Sequence, residues 1–259
     1  MSDDIVQLEW DGPLATLRMN DPATLNAVTI ASLEAFDRAL DEVNARGRAM
    51  ILTGAGRGFC SGANIGAGMD TASVDYDAGA ALDTHINPLM SKLRDLAVPW
   101  IAAVRGPAAG VGASLALAAD MIVASENAYF LQAFSRIGLV PDGGSSHLLV
   151  RTIGRARASE LMLLGEKLPA AKALEWGLVN RVVPDDQLEA AASELAVRLA
   201  NGASSLRLIR RLAWSAVDGD WETTLSTERQ LQGLAGRTAD HREGVDAFMH
   251  KRAAAFTGA

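Results

Sequence analysis

The chain has 259 residues, of which 24 are basic and 31 acidic, so its formal net charge is −7. Hydrophobic residues make up 49% of it, which excludes an intrinsically disordered chain and allows a large core. The acidic balance argues against nucleic acid as a partner, because phosphate backbones are bound by clustered lysine and arginine. The most apolar segment, Pro99–Ala124, is interrupted by Arg105 and Asp120, so no membrane span is expected. Cys60 is the single cysteine, which leaves no intrachain disulfide and fits a cytoplasmic setting.

The first two-thirds of the chain mixes strand and helix patterns. In chain order, alternation and apolar spacing predict strands at Ile5–Trp10 and Leu14–Met19, a helix over Ile30–Val43 and a strand at Met50–Leu52. The same patterns then predict a helix over Leu82–Leu96, a strand at Trp100–Val104, a loop at Gly106–Gly112, a helix over Ala113–Ala119, strands at Met121–Ala124 and Ala128–Phe130, and an irregular segment at Leu131–Gly144.

After Ser145 the chain is nearly all helical. A short strand at Leu178–Val183 is followed by predicted helices over Asp185–Ala200, Ser204–Val217, Asp220–Gly233 and His241–Ala254. This order predicts an α/β core followed by a helical C-terminal part.

Two segments, Met50–Ala63 and Trp100–Ser114, share one layout: a strand followed by a glycine-rich turn. Such turns expose backbone N–H groups and let a ligand approach the main chain closely. Two N–H groups aimed at one point form an oxyanion hole, which stabilises charge on a carbonyl oxygen. Each turn taken alone also fits an ordinary tight connection.

Other chemistries find less support in the residues. Gly110–Leu115 begins like a dinucleotide fingerprint, but Leu115 stands where a glycine or alanine is needed. The four histidines show no metal-ligand spacing. Ser114, Asp142 and His147 follow the chain order of a hydrolase triad, but the last two lie only five residues apart.

Several segments resemble the signatures of the crotonase superfamily, which contains the enoyl-CoA hydratases and isomerases. They are Leu25–Ala27, Ile51–Ile65, Pro99–Asp120, Glu175–Val179 and Glu243–Phe248. The resemblance runs from about residue 5 to residue 258, and these motifs in this order are highly specific.

The resemblance implies a fold and an assembly. The expected fold is α/β: a crotonase-like spiral of ββα units with a helical C-terminal trimerisation region. Residues 1–200 would form the core that binds acyl-CoA, and residues 201–259 would serve oligomerisation and complete the CoA site. The expected state is a homotrimer or hexamer. Neither a metal nor a separate cofactor is implied, because coenzyme A is part of the substrate.

The resemblance also assigns site residues. The backbone N–H groups of Ala63 and Val111 would form the oxyanion hole. Contacts with coenzyme A are carried over to Asn26, Ala27, Ser61, Ala63, Ile65 and Lys251. Lys251 is the basic candidate, because Gly66 stands where many members have a lysine near the CoA phosphates. The substrate pocket is assigned to Gly110, Ser114 and Phe134.

The acid–base residues decide the reaction that this resemblance implies. Hydratases of the family carry two glutamates, but the corresponding positions here hold Ser114 and Phe134, neither of which can move a proton near neutral pH. Asp142 remains; Pro-Asp-Gly is also a common turn sequence. Isomerases of the family, including the ring-epoxide isomerases of phenylacetate degradation, use the aspartate at this place.

The resemblance therefore implies an acyl-CoA isomerase with Asp142 as the single base, which shifts a double bond from C3 to C2 or rearranges a ring-epoxide acyl-CoA through an oxyanion-stabilised enolate. Apolar surroundings would raise the pKa of its carboxyl, which suits a group that takes and returns a proton. The alternatives are a hydratase with atypical residues, another crotonase reaction such as thioester hydrolysis or decarboxylation, and a non-catalytic acyl-CoA-binding protein.

Overall fold

The computed structural model describes residues 4–64, 73 and 75–259. One sheet has six strands in the order β1-β2-β3-β4-β6-β9. They are β1 (Val6–Asp11), β2 (Leu14–Met19), β3 (Ala49–Gly54), β4 (Trp100–Val104), β6 (Met121–Ser125) and β9 (Arg181–Val183). The β1–β2 pair is an antiparallel hairpin, and every other neighbouring pair in the sheet is parallel.

A second, three-stranded sheet has the order β5-β7-β8, formed by β5 (Pro107–Ala109), β7 (Tyr129–Leu131) and β8 (Lys167–Pro169). Consecutive strands alternate between the two sheets: β4 lies in the first and β5 in the second, and β6 and β7 repeat this step. Each of these two strand pairs is followed by a helix. This arrangement is the predicted spiral of ββα units.

The helices on these sheets begin and end at sequence signals. They are α1 (Ile30–Arg46), α2 (Asn87–Asp95), α3 (Val111–Leu117), α4 (Ser145–Leu164), α5 (Ala170–Glu175) and α6 (Leu188–Ala200). The start of α1 is a capping box, in which the Thr29 side chain accepts from the backbone N–H of Ser32 and the Ser32 side chain accepts from that of Thr29. In α4, Gly154 has a φ of 78° and kinks the helix.

The C-terminal region consists of α7 (Leu206–Asp218), α8 (Trp221–Ala235) and α9 (Ala239–Met249). The predicted α/β class with a helical end is confirmed. The division into a core of residues 1–200 and a region of residues 201–259 stays a prediction. None of the helices in the described part of the chain is long and apolar enough to cross a membrane.

The core lies on both faces of the six-stranded sheet. Every residue of β3 and β4 is buried. In β3, Met50 and Leu52 belong to the larger core cluster, whereas Ile51 faces the α6 side together with Leu188 and Leu195. A strand buried on both faces reads as a continuous apolar run, which is why the sequence identified this one.

Arg210 of α7 attaches the C-terminal region to the core. Its side chain is 6% exposed. Its guanidinium donates to Asp120 Oδ2 at 2.8 Å, to the Leu96 carbonyl at 2.8 Å and to the Leu93 carbonyl at 2.7 Å. The last carbonyls of α2, which lack partners inside that helix, are thereby satisfied.

Several elements differ from the sequence prediction. The segment Gly106–Gly112, predicted as a loop, contains β5, because its residues pair with β7, and α9 ends at Met249 rather than at Ala254. The strand β8 was not predicted, because three residues show no alternation and the strand is defined by its pairing with β7. The predicted strand at Leu178–Val183 is restricted to β9. The helix α3 begins at Val111, two residues before the predicted start, since Gly110 adopts a φ of 53° and ends the loop.

Candidate active site

The glycine-rich loop after β3 is held by the side chain of Asn26, which is 3% exposed. Its Nδ2 donates to the carbonyl oxygens of Ala55 at 3.0 Å and Gly58 at 2.8 Å, and its Oδ1 accepts from the Asp21 N–H at 2.9 Å. Glycine is required at position 54, where a Cβ would lie 2.6 Å from Asn26 Nδ2. The Asn26 amide therefore shapes the loop, and its contact with coenzyme A stays a prediction.

The two glycine-rich loops are joined through Cys60 and Ala108, which form a parallel bridge. The Cys60 N–H donates to the Pro107 carbonyl at 2.9 Å, and the Ala109 N–H donates to the Cys60 carbonyl at 2.9 Å. Cys60 is buried, and this burial raises the pKa of its thiol to about 12. The bridge fixes the register of one loop against the other.

In this register Gly62 lies against Gly110. A Cβ built on Gly62 would be 3.8 Å from Gly110 Cα and 3.0 Å from the Ala109 carbonyl oxygen. Both glycines have positive φ, 101° and 53°, which side-chain-bearing residues rarely adopt. Ala63 and Val111 are the next residues along each loop. The structure therefore brings together the two predicted oxyanion-hole positions.

The backbone N–H groups of Ala63 and Val111 are free of hydrogen bonds to the residues that the structure describes. Beside Ala63, a short ladder with Val28 uses the Gly62 carbonyl and the Asn64 N–H, so the Ala63 N–H faces away from that ladder. Val111 is the first residue of α3, and the first N–H of a helix has no intrahelical partner. Both N–H groups are therefore available as donors.

Asp142 lies in the turn before α4, and its carboxyl is partly buried. Its Oδ1 is inaccessible to solvent and has no hydrogen-bond partner among the described residues. Burial raises the pKa of the carboxyl to about 6. A carboxyl with this pKa can take up and release a proton near neutral pH.

The three predicted pocket residues lie at the start of α3, and one of them contacts the main chain of Asp142. Ser114 is fully buried, and its Oγ donates to the Asp142 carbonyl at 2.9 Å. The Phe134 ring lies against Gly110, with its Cζ 3.7 Å from the place of an added Cβ. Gly110, Ser114, Phe134 and Asp142 are thus brought together.

Two buried polar residues in this region carried no recognisable sequence signal. Ser145 donates its N–H and its Oγ–H to the Asp142 carbonyl, at 3.1 and 2.9 Å. Its Oγ also lies 3.2 Å from Gln132 Oε1. Gln132 falls in the segment predicted to be irregular, and Ser145 in the sequence is an ordinary first residue of a helix.

The remaining predicted CoA contacts are dispersed. Ala27 and Ser61 lie beside the first loop: the Ala27 N–H donates to Thr24 Oγ1 at 3.1 Å and Ser61 Oγ donates to the Thr24 carbonyl at 2.7 Å. Lys251 follows α9, is exposed and has no side-chain hydrogen bond or ion pair within the described ranges. Ile65 and Gly66 lie outside the described residues.

Comparison with known proteins identifies the family. The profile of enoyl-CoA hydratase/isomerase matches residues 9–259. The chain belongs to the enoyl-CoA hydratase/isomerase family. It is 43% identical over 247 residues to the 1,2-epoxyphenylacetyl-CoA isomerase of Escherichia coli strain K12, an alignment that covers 94% of each chain. It is 38% identical over 259 residues, all of both chains, to a protein of Rhodobacter capsulatus named "Probable enoyl-CoA hydratase".

Solved structures agree with this membership of the enoyl-CoA hydratase/isomerase family. The crystal structure of enoyl-CoA hydratase from Bacillus anthracis superposes with a TM-score of 0.91 at 32% identity, covering 98% of this chain and 100% of the other. The resemblance to the crotonase superfamily, the crotonase fold and the assignment as an enzyme are therefore confirmed. Because its relatives are named as both hydratases and isomerases, the residues of the site distinguish the two reactions for this enoyl-CoA hydratase/isomerase.

Proposed function

We propose that this enzyme is an acyl-CoA isomerase that moves a double bond from C3 to C2, with Asp142 as its only proton shuttle. The observation that carries the proposal is the hydrogen bond from Ser114 to the Asp142 main chain. Ser114 lies three residues after Val111 in α3, or about 4.5 Å along the helix axis. This contact puts the turn that carries the carboxyl within about one helical turn of an oxyanion donor.

The mechanism needs one base and one oxyanion hole. The thioester oxygen accepts hydrogen bonds from the Ala63 and Val111 N–H groups. Asp142 removes a proton from C2, the resulting dienolate is held by the two donors, and the protonated carboxyl returns the proton to C4. Each donor of this kind lowers the barrier by about 3–4 kcal/mol.

Rearrangement of a ring-epoxide acyl-CoA is the second reaction that this site fits. The observation that favours it is the 43% identity to a protein named 1,2-epoxyphenylacetyl-CoA isomerase. The same pair of N–H donors would assist opening of the ring. Ser145 and Ser146 stand where the ring-epoxide isomerases have bulkier residues, so the acyl group has to be identified by assay.

The hydratase reading is less compatible with the residues present. A hydratase of this family positions water between two glutamates, whereas Ser114 here is committed to the Asp142 carbonyl and Phe134 packs on Gly110. Thioester hydrolysis, decarboxylation and simple acyl-CoA binding remain alternatives that the assay below distinguishes.

The same proposal covers the CoA site and the assembly. Residues 1–200 would hold the acyl-CoA, and residues 201–259 would build a trimer or hexamer and complete the CoA site with Lys251. Apolar side chains exposed on α7–α9 support an assembly, among them Ile209, Trp221 and Phe248 at 58%, 71% and 82% exposed. Light scattering then gives three or six times the 27.2 kDa chain mass. A cytoplasmic location belongs to the same proposal.

The purified enzyme is tested with a 3-enoyl-CoA, a 2-enoyl-CoA and the ring-epoxide ester in separate reactions followed by chromatography. Conversion of the 3-enoyl ester or the epoxide, without hydration of the 2-enoyl ester, supports the isomerase. Rapid hydration contradicts it, and release of free CoA indicates a hydrolase. Asp142→Asn abolishes turnover but retains binding of the CoA ester. The matched control is Asp186→Asn, at an exposed aspartate, which retains wild-type turnover.

A further inference from the structure

The main-chain carbonyl of Asp142 accepts hydrogen bonds from two helices. Ser114 reaches it from α3 and Ser145 reaches it from the first turn of α4, each with Oγ at 2.9 Å. Gln132, which lies just after β7, contacts the Ser145 hydroxyl at 3.2 Å. The side chains of these three residues are fully buried, which is uncommon for serine and glutamine.

The side-chain carboxyl of Asp142 differs from its main-chain carbonyl in its hydrogen bonds. Its Oδ1 is buried and has no hydrogen-bond partner within the described residues. A buried carboxyl oxygen without a partner is energetically costly, and such atoms are few in folded proteins. The Oγ atoms of Ser114 and Ser145 both lie 2.9 Å from the main-chain carbonyl of Asp142, and neither serine donates a hydrogen bond to the carboxyl that carries out the chemistry.

We propose that Ser114, Ser145 and Gln132 are positioning residues that orient the Asp142 carboxyl through its main chain and donate no hydrogen bond to its oxygens. This inference rests on the proposed function, because it assigns a role relative to Asp142 as the base. Ser114 stands where the resemblance places one of the two glutamates of a hydratase. Its role here is different, because it orients Asp142.

A direct hydrogen bond to the carboxyl would have the wrong effect. A donor on a carboxylate stabilises its charged form, lowers its pKa and weakens it as a base. Holding the carbonyl oxygen instead fixes the backbone and leaves the carboxyl unstabilised. The arrangement thereby combines a defined position with a reactive group.

Gln132 controls the rotation of the Ser145 hydroxyl. This hydroxyl has one proton, and both the Asp142 carbonyl and the Gln132 amide are in reach of it. With the amide turned so that Nε2, otherwise buried without a partner among the described residues, faces Ser145, Gln132 donates to Oγ and directs the hydroxyl proton to the Asp142 carbonyl. The acceptor of the Ser114 hydroxyl proton is better defined, because Oγ lies 2.9 Å from the Asp142 carbonyl and 3.4 Å from the Gly110 carbonyl. Removal of Gln132 therefore acts only through Ser145.

The test replaces Ser114 and Ser145 with alanine, singly and together, and measures kcat, KM and the pH profile of kcat/KM with the substrate that the wild type converts. We expect kcat to fall, by about 100-fold in the double variant, as is typical when a reacting group moves by about 1 Å. KM stays within about twofold, because the residues do not touch CoA. The acid limb of kcat/KM moves to lower pH, since a loosened turn admits water to the carboxyl.

Two further variants separate positioning from packing. Ser145→Thr keeps the hydroxyl and retains most of the kcat that Ser145→Ala loses. Gln132→Leu lowers kcat in the wild-type background but adds nothing to Ser145→Ala, because both act on one hydroxyl. The matched control is Ser125→Ala, at a fully buried serine whose Oγ has no partner in the described part of the chain. This control leaves kcat and the pH profile unchanged.

The outcomes separate the proposed function from the positioning role. If Asp142→Asn retains turnover, the proposed function fails, and the positioning role fails with it. If Asp142→Asn is inactive while the double serine variant keeps kcat within twofold and the acid limb in place, only the positioning role is wrong. If the double variant does not fold, the comparison of Ser145→Ala with Ser145→Thr decides, and equal kcat values for the two overturn the proposal.

Discussion

A single side chain, Asp142, shows how burial prepares a carboxyl for the role of a base proposed above. Among the described residues no charged group shifts the pKa of this carboxyl, and burial raises it from 3.8 to about 6. Desolvation penalises the charged form of the carboxyl. Accepting a proton therefore lowers the free energy of this carboxylate more than that of an exposed one.

The first prediction at this scale is the pH dependence of activity. Because the carboxylate form must accept the substrate proton, kcat/KM is constant above pH 7 and falls tenfold per pH unit well below about 6. An exposed aspartate would place this limb near its ordinary pKa of 3.8. An acid limb centred near pH 4 contradicts the assignment of Asp142 as the buried base.

The second prediction is that Asp142→Asn stabilises the protein near neutral pH. A pKa that is raised on folding means that the folded state binds the proton more tightly, so stability is lost as pH rises from about 4 to about 6. Because the carboxyl is partly exposed, we expect only about 1 kcal/mol, or roughly 2–4 °C in Tm, from the neutral amide. Calorimetry at pH 7.5 and at pH 3.5 tests this, since the gain must disappear at the lower pH.

Among structural elements, the paired glycine-rich loops determine the geometry of the proposed oxyanion hole. Gly62 has no room for a side chain, because an added Cβ lies 3.0 Å from the Ala109 carbonyl oxygen at a φ of 101°. Displacing this glycine moves the Ala63 N–H, which is the next group along the chain.

We therefore predict that Gly62→Ala lowers kcat by about 100-fold, the scale on which loss of one oxyanion donor acts. Binding of free CoA, measured by calorimetry, changes little. Gly12→Ala is the matched control: Gly12 has a φ of 55° but no atom lies within 4 Å of its added Cβ. This control carries the same backbone strain, so equal losses of kcat in the two variants would attribute the effect to strain alone.

Secondary structure was predictable where it depends on local signals. The helix α1 has both its apolar stripe and its capping threonine, and β3 and β4 are continuous apolar runs. The motifs also predicted which loops lie together, since Gly62 and Gly110 are in proximity, whereas the roles of Ala63, Val111 and Asp142 stay predictions. The serine contacts were not predictable, because the bond from Ser114 to Asp142 joins residues 28 positions apart whose approach depends on how α3 and α4 pack.

At the scale of the whole molecule, one arginine connects the helical end to the sheet. Arg210 is almost completely buried and binds Asp120 together with the last carbonyls of α2. Burial raises the pKa of the Asp120 carboxyl even though the Arg210 charge and hydrogen bonds oppose this shift. The pair is thus costly to bury and costly to break.

We predict that Arg210→Met lowers the free energy of unfolding by about 3–5 kcal/mol, the usual cost of leaving one buried charge without its partner. Urea unfolding measures this loss. Arg210→Lys recovers only part of it, because an ammonium group cannot reproduce the planar fork that reaches both Asp120 and the helix carbonyls. The control is Arg211→Met, at an exposed neighbour on the same helix, which stays within about 0.5 kcal/mol of the wild type.

The bridge between the two loops has a practical consequence for following this enzyme in solution. Cys60 is the single cysteine of the chain, and its buried thiol, with a pKa raised to about 12, is protected from alkylation in the closed fold. Reaction with a thiol reagent therefore measures how often the Cys60–Ala108 contact opens. A CoA thioester that engages both N–H donors should slow this reaction, so the native sequence carries its own probe of ligand occupancy.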